Sequence, residues 1–439
     1  MPEILTQVSE AAALPAPHTV PDTGLRRSFL EELALKTLFN SGELSLRELG
    51  ERMQLSLHVI EELFATMRKE QLCEVKGMIA GIHRITTTQA GKRRALELLD
   101  LSQYVGPAPV ALEDYLKAVR SQTVQNADVH EADIRRAFSH LVLSDDTIER
   151  VGTAMVSGTS IFVYGPTGGG KTSIAETLPK IYPDSVWIPY AVEVDGQIIV
   201  VFDPTTHHPL EQQPSWGEGD TRWVRCRRPR VFVGGELTPE MLDLQMNPIN
   251  KFYSAPLQMK ANNGVLIIDD FGRQRIRPED LLNRWIVPLD RRIDFLTLHG
   301  GKKFEVPFDL FVVFATNLNP MELADEAFMR RIQNKIRLGY PPAPQYKEIF
   351  RRNCEKCSLK YTEEMVNYFL HILEDRYHQP MRPCYPSDIV HQIVWTAQYE
   401  ARPAVLDRES IDRACRNYFV NPEDMEKERE SAAKGIRSF

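Results

Sequence analysis

The sequence predicts an α/β protein, with a parallel sheet flanked by helices, a helical unit behind it and a smaller α+β domain in front. Three observations predict this. An apolar strand, Ile161 to Tyr164, runs into a glycine-rich turn and then a helix-forming stretch, "TSIAETLPK". Two more buried strands, "VLII" at Val265 to Ile268 and "LFVVFA" from Leu310, end in polar residues, as strands do at the carboxyl edge of a parallel sheet. Upstream, three amphipathic segments, a short hairpin and a closing helix follow one another without a break.

Taken in order, residues 1–24 are rich in Ala and Pro without an apolar period, and are expected to form a disordered tail. Residues 25–100 change pattern. "FLEELALKTLF", "GELSLRELGERM" and "LSLHVIEELFATMRKEQL" have helical spacing, a hairpin turns at Gly77 to Gly81, and "QAGKRRALELL" closes the unit in the order of a winged helix. Ser56 is the expected cap of the third helix. Residues 101–128 form a spacer and helix, interrupted by Pro107 and Pro109. The core is expected over 129–340, a helical lid over 341–425 and a charged tail over 426–439.

Composition narrows the partners. The 439 residues carry a formal net charge of −7, which gives no overall attraction to nucleic acid or an anionic membrane. The first residues lack the basic region of a secretory signal, and no apolar run nears the roughly 18 residues needed to span a bilayer, so a cytoplasmic protein without membrane contact is expected. Six scattered cysteines suit reduced thiols, and the lone Cys354/Cys357 pair lacks a second pair to complete a zinc site.

The glycine-rich turn carries the chemistry. Gly165, Pro166, Thr167, Gly168, Gly169, Gly170, Lys171 and Thr172, followed by Ser173, match G-x-x-x-x-G-K-[ST] between a strand and a helix. Such a loop cradles phosphates with its backbone N–H groups, Lys171 reaches the terminal phosphates, and Thr172 ligates magnesium. Asp269 and Asp270 end the second strand, where one holds Mg²⁺ and the other orients the attacking water. Asn317 ends the third strand, within reach of phosphate and water. Arg330 and Arg331 follow a short helix and are candidates to neutralise transition-state charge.

"GPTGGGKT", "VLIIDD", "FATN" and "EAFMRRI", in that order, resemble the AAA+ ATPases and more loosely their MoxR-like branch, over Val129 to Val420. The resemblance implies ATP and Mg²⁺ as cofactors, hydrolysis to ADP and phosphate, and a homo-oligomeric ring, commonly a hexamer, that acts like a chaperone on a protein client. It makes Lys171 and Thr172 Walker A, Asp269 and Asp270 Walker B, Asn317 sensor 1, and Arg331, with Arg330 as second candidate, the arginine finger. "RRIDFLTLHGGKKFEVPF" looks like the presensor hairpin.

Three departures stand out. Asp270 replaces the usual Glu, which predicts slow hydrolysis. Ser387 stands where a sensor 2 arginine is often found, with Arg382 nearby as a substitute. Lys171 to Asp269 spans 98 residues (269 − 171), placing an insertion near 187–235 that holds Arg222, Arg225, Arg227, Arg228 and Arg230 as a solvated edge or a partner surface. Phe252 and Tyr253 are expected in the core, with an aromatic pore loop as the alternative. Three functions follow: a remodelling machine whose winged helix docks a protein partner, a nucleotide-gated DNA-binding regulator, or a slowly hydrolysing scaffold. Glu61 and Glu62 on the third helix oppose phosphate contact, whereas Arg84, Lys92, Arg93 and Arg94 favour it.

Overall fold

A computed structural model of the chain describes residues 14–79, 81–126, 128–216, 218–323 and 329–420. Its N-terminal domain runs α1 (Arg27–Ser41), β1 (Glu43–Ser45), α2 (Leu46–Met53), α3 (Leu57–Lys69), β2 (Cys73–Ile79), β3 (Ile82–Thr87) and α4 (Gln89–Leu101). The strands form an antiparallel sheet in the order β1-β3-β2, with three helices ahead of the β2-β3 hairpin and one behind it. Leu46, Leu49 and Met53 on α2 and Val59, Ile60, Leu63 and Met67 on α3, three or four residues apart, are buried in one core. Ser45 and Glu48 close a capping box on α2, the Ser45 hydroxyl accepting from the Glu48 N–H at 3.1 Å. Ser56 does not cap α3 as expected; its hydroxyl donates instead to the Pro17 carbonyl at 2.7 Å.

That contact corrects the expected tail. From Leu14 the chain lies on the protein: the Leu14 carbonyl accepts from Asp220 N–H at 2.9 Å, and Val20 and Thr23 are buried. Asp22 fixes the turn by accepting the N–H groups of His18 and Thr19 at 3.1 and 2.8 Å. The rest of that tail and the 426–439 tail lie outside the described residues.

After the spacer, β4 (Val110–Ala111) and α5 (Leu112–Ser121) lead to the core: α6 (Glu131–Ala137), α7 (Asp145–Ser157), β5 (Ser160–Tyr164) and α8 (Lys171–Thr177). The insertion then adds β6 (Ser185–Pro189), β7 (Ala191–Val194), β8 (Gln197–Val200) and β9 (Trp223–Arg227). The chain continues through β10 (Arg230–Val233), β11 (Gln245–Met246), β12 (Tyr253–Ser254), α9 (Leu257–Lys260), β13 (Val265–Ile268), α10 (Pro278–Arg284) and α11 (Ile286–Arg291). The hairpin β14 (Ile293–Thr297) and β15 (Lys303–Pro307), then β16 (Phe311–Thr316), α12 (Pro320–Leu323) and β17 (Asn334–Arg337), complete the core. The lid consists of α13 (Ala343–Lys356), α14 (Glu363–Asp375), α15 (Tyr385–Tyr399) and α16 (Arg408–Tyr418), which share one core of their own.

The central sheet is parallel throughout, in the order β10-β13-β16-β5-β17. Its inner strands β13, β16 and β5 read as nearly unbroken apolar runs because both faces are covered. Ile161, Val265, Ile267 and Val313 face one core, and Phe162, Leu266, Ile268 and Phe314 face the other. The parallel sheet, flanking helices and helical lid are the α/β architecture the sequence predicts. No helix of the described residues is long and apolar enough to cross a membrane.

The insertion differs from its expected bounds. Arg230–Val233 belongs to the central sheet, and a second sheet, β11-β12-β8-β7-β4, draws its strands from both sides of 187–235. Its arginines are not one solvated edge. Buried Arg222 is paired with Asp220 at 2.8 Å and donates to the Thr23 carbonyl at 3.0 Å. Arg228, also buried, pairs with Asp184, donates to the Gln122 and Asn263 carbonyls at 2.8 Å and lies over the Tyr182 ring. Tyr253 is buried in the core, with its hydroxyl accepting from His299 N–H at 2.9 Å, and half-buried Phe252 packs edge-on against Tyr104 at the margin of the N-terminal core.

The N-terminal domain is seated on this insertion. Between α2 and α3 the Met53, Gln54 and Leu55 carbonyls accept from Ala108 N–H at 2.7 Å, the Thr221 hydroxyl at 3.2 Å and the Trp216 indole at 3.1 Å. Arg47 lies over the Trp216 ring. Gly50 makes room for that ring, since a Cβ there would meet it at 2.8 Å.

Candidate functional site

Three loops at the carboxyl ends of β5, β13 and β16 meet over the sheet. The first, from Gly165 to Gly170, turns because Gly168 and Gly170 adopt φ of +74° and +86°, a region that favours glycine. Space demands glycine as well. A Cβ at Gly165 would lie 2.1 Å from the Leu338 carbonyl oxygen, and one at Gly168 2.6 Å from the Cys384 sulfur on the lid. The loop is thus held between β17 and the lid, and it delivers Lys171 to the start of α8.

Lys171 Nζ donates to the Gly165 and Pro166 carbonyls at 3.1 and 2.8 Å and to the side-chain oxygen of Asn317. Burial pushes the lysine below its usual pKa, while Asp269 and Asp270 pull it the other way. The Asn317 amide donates to Asp270 at 3.1 Å, and the Thr172 hydroxyl donates to Asp269 at 2.8 Å. Five predicted residues therefore form three hydrogen bonds across neighbouring strand ends, in two sets: Lys171–Asn317–Asp270, and Thr172–Asp269.

The loop after β13 is closely determined. Asp270 sits at φ +48°, Phe271 N–H donates to the Ala315 carbonyl at 2.7 Å, and the Thr316 hydroxyl donates to the Phe271 carbonyl at 2.6 Å. Gln274 clamps the turn, donating to the Asp269 carbonyl at 2.8 Å and accepting from Gly272 N–H at 2.7 Å.

These residues line a cleft of about 870 Å³ between core and lid, which Thr167, Gly169 and Ser173 also border. Its far wall was not legible from motifs: it comprises His140 to Ser144, Asp146 and Thr147, Leu338 to Pro342, and Ile349 and Asn353 of the lid. Arg352 ties that wall together, pairing with Glu348 at 2.8 Å and donating to the Ser139 carbonyl at 2.7 Å. Ser387 borders the cleft, whereas Arg382 lies against the loop at Gly168 with its guanidinium over the Tyr385 ring.

Arg330 and Arg331 are not in this cleft. They border a separate cavity of about 420 Å³ with Thr159 and Ser160, at the opposite end of β5, and Arg331 Nε donates to Asp290 at 2.7 Å. Asp325 and Glu326, the sequence-adjacent acids, lie outside the described residues. Among the described residues no cluster of three or more His, Cys, Asp or Glu could hold a metal, and burial pushes the Cys354 thiol up to about 12.

A family model described as a domain of unknown function (DUF8689) matches residues 342–417, the lid. No curated protein sequence matches the chain. Among solved structures, the RuvB Holliday junction branch migration motor of Thermotoga maritima aligns over 65% of this chain and 69% of its own, at 12% identity and a TM-score of 0.34. Domain III of the Thermotoga maritima replication initiation protein DnaA aligns over 64% of this chain and 96% of its own, at 13% identity and a TM-score of 0.37. Likenesses of this size do not bear on the reading of the site.

Proposed function

We propose that the chain binds MgATP in the cleft and hydrolyses it as an oligomeric AAA+ machine that remodels a protein partner. The observation that supports it most is the joining of Lys171, Asn317 and Asp270 in one hydrogen-bonded chain beside the Thr172–Asp269 pair. The residues fit the ligand: a glycine cradle that a Cβ would fill, an ammonium beside it, and a hydroxyl and carboxylate as hard oxygen donors for Mg²⁺.

Bound MgATP supplies the phosphoanhydride to be cleaved and a cation that offsets developing charge. The loop N–H groups and Lys171 hold the phosphates, while Thr172 and Asp269 hold the metal. Asp270 orients water and accepts its proton at a carboxylate oxygen, and Asn317 fixes that carboxylate from the other side. The Asp side chain is one methylene shorter than Glu, which favours slow turnover. The finger is Arg331, with Arg330 as second candidate, reaching a neighbour's cleft.

The winged helix acts on this reading as a protein-facing module. Glu61 is exposed, Glu62 is engaged by Arg27 at 3.0 Å, and the turn between α2 and α3 is covered by Trp216 and Thr221. A DNA-reading helix of this kind presents its leading end to base edges. The regulator reading is correspondingly weaker.

Thermal melting with and without MgATP tests the binding step. Wild type should be stabilised in proportion to ligand occupancy; Lys171→Ala, compared with its own ligand-free melting because it loses the three hydrogen bonds of the buried ammonium, should show no such stabilisation. Equal stabilisation of both proteins overturns the assignment.

A further inference from the structure

We propose that Arg273 is a second cation for the terminal phosphate, acting within the same chain and setting the preference for ATP over ADP; this rests on the nucleotide reading above. Nothing in the loop motif marks it. It stands three residues after Asp270, and its backbone N–H donates to the Asp270 carbonyl at 3.0 Å, closing the turn that starts at the strand end.

The position of that turn is fixed from several sides. Gly272 adopts φ +102°, and a Cβ there would lie 2.7 Å from Leu323 and 2.8 Å from Leu318, so the turn is pressed against two leucines where only glycine fits. The Gln274 contacts to Asp269 and Gly272 lock its other side. Arg273 is consequently carried on a rigid corner rather than a loose loop.

Its side chain borders the cleft with Lys171, Asp269, Asp270 and Asn317, the groups of the phosphate end. The opposite wall, with Tyr340 and Asn353, is built from the lid junction. Arg273 is exposed, and among the described residues it forms no ion pair, in contrast to Arg277, which is bidentate to Asp280, and Arg284, which is bidentate to Asp294. An arginine fork without a carboxylate partner, carried on a braced turn into the cleft that Lys171 also lines, is suited to an anion carrying several oxygens. Sitting at the Asp270 and Asn317 end, it meets the phosphate that ATP has and ADP lacks.

The test titrates a fluorescent ATP analogue and the matching ADP analogue, with Mg²⁺, into wild type, Arg273→Ala, Arg273→Lys and Arg275→Ala. Arg275 is an exposed neighbour that does not border the cleft and controls for net charge. Arg273→Ala should bind the ATP analogue about 10- to 100-fold more weakly, the range of a charge-assisted hydrogen bond, and the ADP analogue within about twofold of wild type. Arg273→Lys should recover part of the loss and Arg275→Ala should match wild type. Unchanged ATP binding, or equal losses for both nucleotides, overturns the proposal. Failure of wild type to bind either analogue overturns the nucleotide reading itself and this inference with it.

Discussion

Asp270 is held by its backbone and its side chain together, and the two can be separated by substitution. Its φ of +48° lies in the left-handed region that Asn tolerates and Ala does not, and its carboxylate accepts from Asn317. Asp270→Asn should keep the melting temperature and bind ATP within about threefold of wild type, while turnover falls by about 100-fold or more, the usual contribution of a general base. Asp270→Ala should show the same loss of turnover plus about 1–2 kcal/mol of lost stability from the backbone. Melting curves and single-turnover assays of the two variants check this, and unchanged turnover in Asp270→Asn would remove the carboxylate from the chemistry. Residues of this kind were legible in the sequence because chemistry fixes their spacing: Lys171 must follow its glycines, and the acids must end a strand. Arg273 and the wall of His140 to Ser144, Asp146 and Thr147 were not, since they are brought to the cleft by a turn and by lid packing rather than by a local pattern.

Among the elements, the loop between β8 and β9 shows how a buried polar group pins the insertion to the core. His207 is fully buried; its Nδ1 accepts from Asp203 N–H at 2.9 Å, and its Nε2 meets the Lys260 carbonyl at 2.8 Å. Both ring nitrogens are satisfied only in the neutral form, and burial, foremost, holds the pKa down at about 4. The folded pKa lies below the unfolded value of 6.5, so the unfolded chain binds more protons between the two. The stability from the neutral ring is therefore present above pH 6.5 and lost as pH falls towards 4, by about 3 kcal/mol at most. Denaturant titrations at pH 7 and pH 4.5 should show a midpoint drop that is smaller in His207→Gln; an equal drop in both would assign acid sensitivity elsewhere. The order of helices and strands in the N-terminal domain was legible because each carries an apolar period of its own. The destinations of Arg222 and Arg228 were not, because a run of arginines reads as a solvated edge until the Thr23 carbonyl and Asp184 arrive from elsewhere in the fold.

At the scale of the whole molecule, cleft and arginines lie at opposite ends of one strand. The glycine loop follows Tyr164 at the carboxyl end of β5, while Arg330 and Arg331 border Thr159 and Ser160 at its start, a separation on the order of 15 Å for a strand of this length. Neither arginine can serve its own cleft without unfolding the core. Two accounts of Arg331 compete. In one it is a structural cation, held by Asp290 at 2.7 Å; in the other it leaves that carboxylate to meet the γ-phosphate in a neighbouring copy. A structural cation predicts that Arg331→Ala and Asp290→Asn lose stability together and turnover only in step with it. A shared site predicts that Arg331→Ala nearly abolishes turnover, by about 10³- to 10⁵-fold, with ATP binding intact, while Asp290→Asn keeps most of its activity. Mixing separates the accounts further, because Arg331→Ala and Lys171→Ala are each inactive for different reasons. In a mixed assembly some interfaces pair an intact cleft with an intact arginine, so activity should return on mixing in proportion to the fraction of such interfaces. Absence of recovery in mixtures shown to co-assemble, or full turnover by a species shown to be monomeric, would confine catalysis to a single chain and leave Arg331 as the partner of Asp290.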